Sequence, residues 1–339
     1  MNHIIGVDLG TKNTVFYSKN KGILLNEPSL VAVHPKSKTV LAVGEKAREM
    51  LGKTPENVTV IKPLSGGVIT DFDVTRVMLK LFLEKAWRGS IFRPQVTVCV
   101  PSGITEVERR AVIEAVERSG GKNVYVLEEP MAAAIGAGLP VEKAVGNMIL
   151  DIGGGTVDAA VLSFGGIVNA NSIRHAGDAM DEEIRKYVKE KYGVLIGLQT
   201  AENIKISIGA AHPSFEEKEQ DVMGRCLTSG LPKMVTVTTS DVREAISGTI
   251  EKILDAVKTT LLQTPPELVA DIVESGIVLT GGGAKLPGLT ERVEETTGIR
   301  AILSENAELS VSIGAGTAME MLFGGTFIKR NNALFQSRG

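Results

Sequence analysis

The sequence IGVDLGT at residues 5–11 has a counterpart at residues 149–156, where the chain reads ILDIGGGT. In both stretches an apolar run ends in an aspartate and continues through a glycine turn with a threonine into a second β-rich run. Another turn and a third apolar run follow each time, at residues 22–25 and 165–168. The pattern predicts a meander of strands joined by short turns, and it occurs twice.

The segments that follow the two meanders also match each other. Strand patterns at residues 96–100 and 277–279 each lead into a helix, and the first helix opens with a capping box at residues 105–108. Each half then passes through a short strand into a predicted small-residue helix that contains Ile-Gly-Ala-Gly, at residues 135–138 and 313–316. Two matched ends in the same order indicate an internal duplication of one α/β unit. No low-complexity linker separates the copies, so we expect two α/β domains that abut along a cleft.

Extra segments lie between the matched parts. Residues from about 30 to 70 and from about 180 to 238 hold short strands, helices and a polar loop. A long helix is predicted from about residue 240 to 262, with apolar side chains at helical spacing that face the core of the second domain. Pro265 and Pro266 end it.

Two glycine turns carry the chemistry that we expect of this chain. The first glycine loop (residues 10–13) and the second glycine loop (residues 153–156) each join two strands, and consecutive backbone N–H groups in such turns can cradle phosphate. Asp8 and Asp151 end the strands before the loops and are expected to face each other across the cleft, where two carboxylates suit Mg²⁺ held partly through water. One such turn alone is more typical of an ordinary hairpin. Two related turns and a third glycine cluster at residues 281–283 favour phosphate binding.

Composition excludes several classes of protein. The 339 residues carry a net charge of only −3 and no block of like charge, which argues against a nucleic-acid partner held by bulk electrostatics. No apolar stretch approaches the roughly 18 residues that a spanning helix needs. The N-terminus runs directly into the first strand, and the two cysteines form no disulfide framework, so a cytoplasmic protein is expected. Gly52-Lys53-Thr54 is not the end of a P-loop, because Ala47 stands where that motif begins with glycine.

A resemblance to a known superfamily rests on five segments of this chain. Residues 8–14, 128–138, 151–158, 277–288 and 313–316 resemble the signature segments of the actin, sugar-kinase and heat-shock ATPase superfamily. From Ile4 to about Phe327 the chain is similar to the MreB family of bacterial actins, with its Mbl and MreBH relatives. The phrases that carry this closer match are NEPS at 26–29, GVITD at 67–71, VPSGIT at 100–105, AGD at 176–178, SGLP at 229–232 and TPPEL at 264–268.

The resemblance implies an actin-like fold, in which two duplicated RNase H-like α/β domains enclose a nucleotide cleft and each carries a small inserted subdomain. It implies the following boundaries: a first domain over 1–142 with a subdomain at about 31–68, a second domain over 143–309 with a subdomain at about 180–238, a helix over 310–327 that packs back on the first domain, and a tail over 328–339. The two Ile-Gly-Ala-Gly helices are the expected hinge.

The resemblance also implies ATP or ADP with Mg²⁺ as ligands and assigns roles to individual residues. Glu129 would orient the attacking water, with Thr156 and Asp151 nearby, while Glu128 is the weaker candidate for that role. The metal would be held by Asp8 and Asp151 through water. The residues expected to bind the nucleotide are Gly10, Thr11, Lys12, Asn13, Gly153, Gly154, Gly155, Thr156, Gly177, Asp178, Glu202, Asn203, Ile204, Lys205, Gly281, Gly282, Gly283 and Ala284.

The chain departs from the family pattern at two places. Lys12 stands where the family usually has alanine and could add a cation near the phosphates. Val157-Asp158 replaces the more usual Thr-Glu, so the polar contacts expected around Thr156 differ from those of the family.

Three functions fit this scaffold: a filament-forming ATPase of the cytoskeleton, a small-molecule kinase and a chaperone-type ATPase. A kinase needs an aspartate base at an acceptor pocket and larger insertions, and a chaperone needs a substrate-binding domain, so the sequence favours the filament. The resemblance implies a slow ATPase coupled to polymerisation, which organises cell-wall synthesis and cell shape at the inner face of the cell membrane. Its expected partners are further copies of itself as paired protofilaments, membrane lipid and cell-wall elongation proteins.

A loop at residues 88–94 is expected to touch the membrane. Ile91 and Phe92 are adjacent, outside any pattern that would bury both, and Arg88 and Arg93 flank them, which suits an anionic lipid surface. The alternative is a loop whose two apolar side chains fold back on the domain.

Overall fold

The computed structural model of the chain describes residues 4–87 and 93–323. Ile91 and Phe92, the predicted helical residues 324–327 and the predicted tail at 328–339 lie outside these ranges. Within the described ranges no helix is both long and apolar enough to cross a bilayer.

The first half of the chain alternates strands and helices. Its elements are β1 (Ile4–Leu9), β2 (Asn13–Ser18), β3 (Gly22–Pro28), β4 (Val31–Val33), β5 (Val40–Val43), α1 (Glu45–Met50), β6 (Thr59–Ile61), β7 (Leu64–Ser65), β8 (Val68–Ile69), α2 (Phe72–Ala86), β9 (Gln95–Val100), α3 (Glu106–Arg118), β10 (Lys122–Glu128) and α4 (Glu129–Gly136). The predicted capping box opens α3, where Glu108 N–H donates to Thr105 Oγ1 at 3.2 Å and Thr105 N–H donates to Glu108 at 2.7 Å.

The second half repeats this plan with additional helices. Its elements are β11 (Asn147–Ile152), β12 (Val157–Ser163), β13 (Gly166–Ile173), α5 (Gly177–Tyr192), β14 (Val194–Leu195), α6 (Leu198–Ile208), β15 (Glu219–Cys226), β16 (Pro232–Thr238), α7 (Thr239–Leu262), α8 (Pro266–Ser275), β17 (Ile277–Thr280), α9 (Leu289–Thr297), β18 (Ala301–Leu303) and α10 (Ser310–Phe323). One short 3₁₀ turn follows β17 at Gly282–Lys285, and another precedes α10 at Ala307–Leu309.

The two large sheets confirm the duplication. The first has the strand order β3-β2-β1-β9-β10 and the second has the order β13-β12-β11-β17-β18. In both, three antiparallel strands form the meander, and two later strands add in parallel beside the first strand of that meander. The strands that bear Asp8 and Asp151, β1 and β11, occupy the same place in the two sheets. The glycine loops follow these strands, so the two loops also occupy equivalent positions.

Small sheets occupy the inserted segments. In the first half, β4, β5 and β6 form a three-stranded sheet against α1, and β7 pairs with β8. In the second half, β14, β15 and β16 form another three-stranded sheet, which packs against α5, α6 and α7.

Two helices join the halves into one body. The last helix, α10, packs on α4 and on β1, although its residues follow the second sheet in the chain. The core between the halves contains Met131 and Ala315 from these helices, Cys99 from β9, and Ile149 and Ala160 from the second sheet. Cys99 is therefore a small buried hydrophobe, as its strand pattern predicts.

The crossing of α4 and α10 depends on glycine. A Cβ on Gly136 would lie 1.9 Å from the carbonyl oxygen of Ser310, and a Cβ on Gly314 would lie 1.8 Å from that of Ala132. Neither position can accept a side chain without a shift of the backbone. The predicted helix through residues 135–138 is wrong at its end, since α4 stops at Gly136 and Gly138 has a φ of +78°.

Candidate functional site

The two glycine loops lie against each other. A Cβ on Gly155 would be 2.5 Å from Thr11 Oγ1, and a Cβ on Gly154 would be 2.8 Å from the Cβ of Lys12. Thr11 and Thr156 are both buried at this junction. The structure thus brings the first and second glycine loops together from opposite halves of the chain, and larger residues in the second loop would separate them.

Ser29 holds the first glycine loop from behind. Its hydroxyl donates to the carbonyl oxygen of Gly10 at 2.7 Å, and its N–H donates to the carbonyl oxygen of Lys12 at 2.9 Å. The same hydroxyl lies 2.9 Å from Thr14 Oγ1, and both side chains are fully buried. Sequence reasoning used the Asn-Glu-Pro-Ser phrase only as a family mark and missed this role.

The N-terminus of α5 holds the second glycine loop. Gly177 N–H donates to the carbonyl oxygen of Gly153 at 3.2 Å, and Asp178 N–H donates to that of Gly154 at 2.8 Å. No pattern in the sequence indicated this contact. Because a helix N-terminus carries a partial positive charge, α5 adds an anion-favouring end beside the loop.

Four carboxyl groups lie beside the glycine loops: Glu129, Asp151 and Asp158 are buried, and Asp8 is partly buried. Burial raises the pKa of Asp8 to about 7. Burial, together with the charges of Asp158 and Asp8, raises the pKa of Asp151 to about 8, although a hydrogen bond from Thr280 at 3.2 Å opposes the shift. Burial first, and then the charges of Asp158, Asp8 and Asp151, raises the pKa of Glu129 well above its ordinary value. The cluster therefore favours a neighbouring positive charge.

Glu129 and Glu128 have different surroundings. Glu129, the first residue of α4, is buried and interacts electrostatically with the other carboxyl groups of the cluster. Glu128 instead accepts a hydrogen bond from Ser102 Oγ at 2.9 Å. Ser102 N–H also donates to Asp158 Oδ1 at 3.4 Å, so it links the two halves and engages the residue that departs from the family pattern.

A second group of charges lies on α5 and α6. Lys205 Nζ lies 2.6 Å from Asp181 Oδ1 and donates to the carbonyl oxygen of Gly177 at 2.8 Å. Lys12 forms an ion pair with Glu202 and lies 3.9 Å from Asp181 Oδ2. Burial and the charge of Glu202 raise the pKa of Asp181, while Lys205 and Lys12 lower it.

The remaining predicted nucleotide contacts differ in accessibility. Asn203 is exposed and accepts a hydrogen bond from Gln199 at 3.3 Å. Ile204 is fully buried in the core of the second half, and helical spacing turns its side chain away from Glu202 and Lys205. Its part in nucleotide binding stays a prediction.

The third glycine cluster packs beside Asp151. Gly281 has a φ of +84°, and a Cβ there would lie 2.2 Å from the carbonyl oxygen of Ile152 and 2.6 Å from Asp151 Oδ1. Its N–H donates to the carbonyl oxygen of Ala307 at 2.8 Å. Gly283 also lies against Ile152, and Ala284 is buried. The cluster therefore continues the wall of the cleft next to the second glycine loop.

Charged contacts also join the two halves of the chain outside the loops. Lys62, after β6, lies 2.7 Å from Asp178 at the start of α5. Arg174 lies 4.0 Å from Glu108 of α3. Both pairs join residues that are far apart in the sequence, and no local pattern indicates them.

Comparison with known proteins gives consistent results. A model of the family described as MreB/Mbl protein matches residues 2–323. The chain is 48% identical over 317 residues to the cell shape-determining protein Mbl of Bacillus subtilis strain 168, covering 93% of this chain and 95% of that protein. It is 48% identical over 324 residues to the cell shape-determining protein MreB of Escherichia coli K12, covering 94% and 93%.

Solved structures of similar proteins agree with the sequence comparisons. The crystal structure of MreB5 of Spiroplasma citri bound to AMPPNP superimposes with a TM-score of 0.90 at 34% identity, covering 97% of this chain and 98% of that one. MreB5 bound to ADP gives 0.91 at 34% identity, with coverage of 98% and 99%. The MamK double helical filament, at 21% identity, shares the fold with a TM-score of 0.80 over 94% of this chain and 99% of that one.

Proposed function

The chain belongs to the MreB/Mbl family, and from that premise we propose that it is an ATP-binding, filament-forming protein that maintains cell shape. The observation that carries the proposal is the direct contact of the two glycine loops, with Asp151 buried and Asp8 partly buried beside them. Relatives named for cell shape align with nearly the whole chain, which favours a filament over the kinase and chaperone alternatives.

Nucleotide binding follows from the loops and the helix end. The first and second glycine loops supply backbone N–H groups from both halves, and α5 directs its positive end to the second loop. Structures of MreB5 with ADP and with AMPPNP support the same ligand class for this chain. Glu202 and Lys205 lie beside the loops, where a nucleoside attached to the phosphates would lie.

The carboxyl groups fit a hydrated Mg²⁺ ion. Asp8 and Asp151 have raised pKa values, so a cation stabilises their ionised forms. Because Mg²⁺ gives up its water ligands reluctantly, we expect Asp8 and Asp151 to hold it partly through water. When bound, the ion would offset phosphate charge and favour the ionised form of Glu129.

Hydrolysis requires a positioned water more than covalent chemistry from the protein. Glu129, once ionised, accepts a hydrogen bond from the attacking water and orients it. Thr156, at the end of the second glycine loop, provides a polar neighbour, and the link from Ser102 to Glu128 and Asp158 holds the surrounding side chains in place. Turnover by this arrangement is slow.

Assembly depends on the angle between the halves. The close crossing of α4 and α10 at Gly136 and Gly314 is the hinge, and nucleotide between the loops fixes the closed angle. Filaments of paired protofilaments would present many copies of the 88–94 loop to the inner face of the cell membrane, where Ile91 and Phe92 insert and cell-wall elongation proteins are organised. That loop remains a prediction from the sequence.

The test combines ATP turnover with sedimentation. Glu129→Ala is expected to keep nucleotide binding and to lose about a hundredfold in phosphate release, since general base or positioning groups contribute about that factor. Glu128→Ala tests the rival candidate, and because it removes only a supporting hydrogen bond from Ser102 it should keep far more turnover than Glu129→Ala. Equal turnover in Glu129→Ala and the wild type would contradict the role of Glu129, and wild-type protein that neither binds ATP nor sediments with it would contradict the function.

A further inference from the structure

Lys12 extends from one half of the chain to the other. It belongs to the first glycine loop, and its ammonium group pairs with Glu202 of α6 and lies 3.9 Å from Asp181 of α5. Its backbone is held by Ser29, whose N–H donates to its carbonyl oxygen at 2.9 Å. Its stem passes Gly154, and a Cβ added to Gly154 would lie 2.8 Å from the Cβ of Lys12. The side chain therefore reaches from the phosphate-binding loop to the nucleoside side of the site.

The two lysines of this charge group are bound differently. Lys205 is 14% exposed and is committed to α5 through Asp181 and the carbonyl oxygen of Gly177. Lys12 is 37% exposed, and its principal partner is a single carboxylate, Glu202. A partly exposed ion pair of this kind is weak, so an incoming anion can compete for the lysine. Lys12 is the cation of the group that can change partner.

We infer that Lys12 changes partner when nucleotide binds, from Glu202 in the free protein to the phosphate chain in the complex. The inference rests on the proposed nucleotide function and deepens it. A phosphate chain carries more charge than one carboxylate and lies at the loop that bears Lys12, so it is the stronger partner. When Lys12 leaves Glu202 for the phosphates, the Glu202 carboxylate is free to accept hydrogen bonds from the sugar hydroxyls. Lys12 thus increases the dependence of affinity on the phosphates of the ligand, beyond what the backbone of the glycine loops contributes.

The first experiment measures the affinities of ADP and adenosine by calorimetry, below the protein concentration at which the chain sediments. Lys12→Met keeps the stem and removes the charge, and it is expected to weaken ADP binding about tenfold, as for loss of one charged hydrogen bond. Adenosine should bind as well as before or more tightly, because Glu202 is released. Lys186→Met, an exposed lysine on α5, is the matched control and should leave both affinities unchanged. Lys12→Arg keeps the positive charge and should bind ADP more tightly than Lys12→Met does.

The second experiment distinguishes a change of partner from a structural role of the ion pair. In the Glu202→Gln background the competing partner of Lys12 is removed, so Lys12→Met is expected to weaken ADP binding by a larger factor than it does in the wild type. An equal or smaller factor would overturn the inference. So would an unchanged ratio of ADP to adenosine affinity in Lys12→Met. If the wild type fails to bind ADP, both the inference and the proposed function are overturned. If the wild type binds ADP but the variants behave as just described, only the inference about Lys12 is overturned.

Discussion

Replacement of Gly314 by alanine adds one methyl group at the closest approach of α4 and α10. The new Cβ would lie 1.8 Å from the carbonyl oxygen of Ala132 and 2.9 Å from the backbone nitrogen of Gly136. A carbon atom and a carbonyl oxygen need roughly 3.3 Å between them. Because the obstructing atoms belong to backbone and cannot rotate away, the two helices must separate by more than an ångström.

The expected cost lies at the upper end of the range for overpacked cores, about 3 kcal/mol. At roughly 2 °C per kcal/mol for a chain of this size, Tm should fall by about 6 °C. Since α4 begins with Glu129 and α10 packs on the strand that carries Asp8, the separation also displaces residues that we propose for hydrolysis and for metal binding. ATP-dependent sedimentation is therefore expected to fall more than nucleotide binding does.

Thermal unfolding and sedimentation with ATP test this reasoning. Gly248→Ala is the matched control, because Gly248 lies on the exposed face of α7 and the nearest atom to its added Cβ is 4.0 Å away. There alanine should raise Tm slightly through its helix propensity. A Tm and a sedimented fraction for Gly314→Ala equal to those of the wild type would refute the close crossing as the hinge.

Three further predictions concern the site and the membrane loop. The pKa of Asp151 is raised to about 8, so the stability that its protonated form contributes is lost as pH rises from about 4 through 8. Asp151→Asn should therefore raise Tm of the nucleotide-free protein more at about pH 8 than at about pH 5. The same variant should bind Mg-ADP more weakly. Equal gains in Tm at the two pH values would contradict the argument from burial. Ser29→Ala should cost about 1–3 kcal/mol and weaken ADP binding several-fold, because buried loop oxygens lose their partner, whereas exposed Ser247→Ala should change neither; ADP affinity unchanged in Ser29→Ala would argue against its positioning role. The double variant Ile91→Ser/Phe92→Ser should still polymerise with ATP but pellet less with anionic vesicles than the wild type, and equal pelleting would show that this loop is not the anchor.

Much of the fold could be predicted from local and repeated patterns. The duplicated meanders and the capping box of α3 involve residues within a few positions of each other, where steric limits and hydrogen bonds are set by the chain itself. The long helix α7 was likewise evident from apolar side chains at helical spacing, and it runs from Thr239 to Leu262. Helix ends were less predictable, as at Gly136, because their stop depends on what the next residues pack against.

The sequence by itself determined the duplication, the two glycine loops and the two aspartates that precede them. Only the tertiary structure decided which side chains meet across the cleft: Lys62 with Asp178, Ser102 with Asp158, and Lys12 with Glu202. Each of these pairs joins segments more than fifty positions apart, and its existence depends on the angle at which the two halves dock. No periodicity along the chain records that angle, since it results from the packing of α4 and α10 at glycine against a shared core.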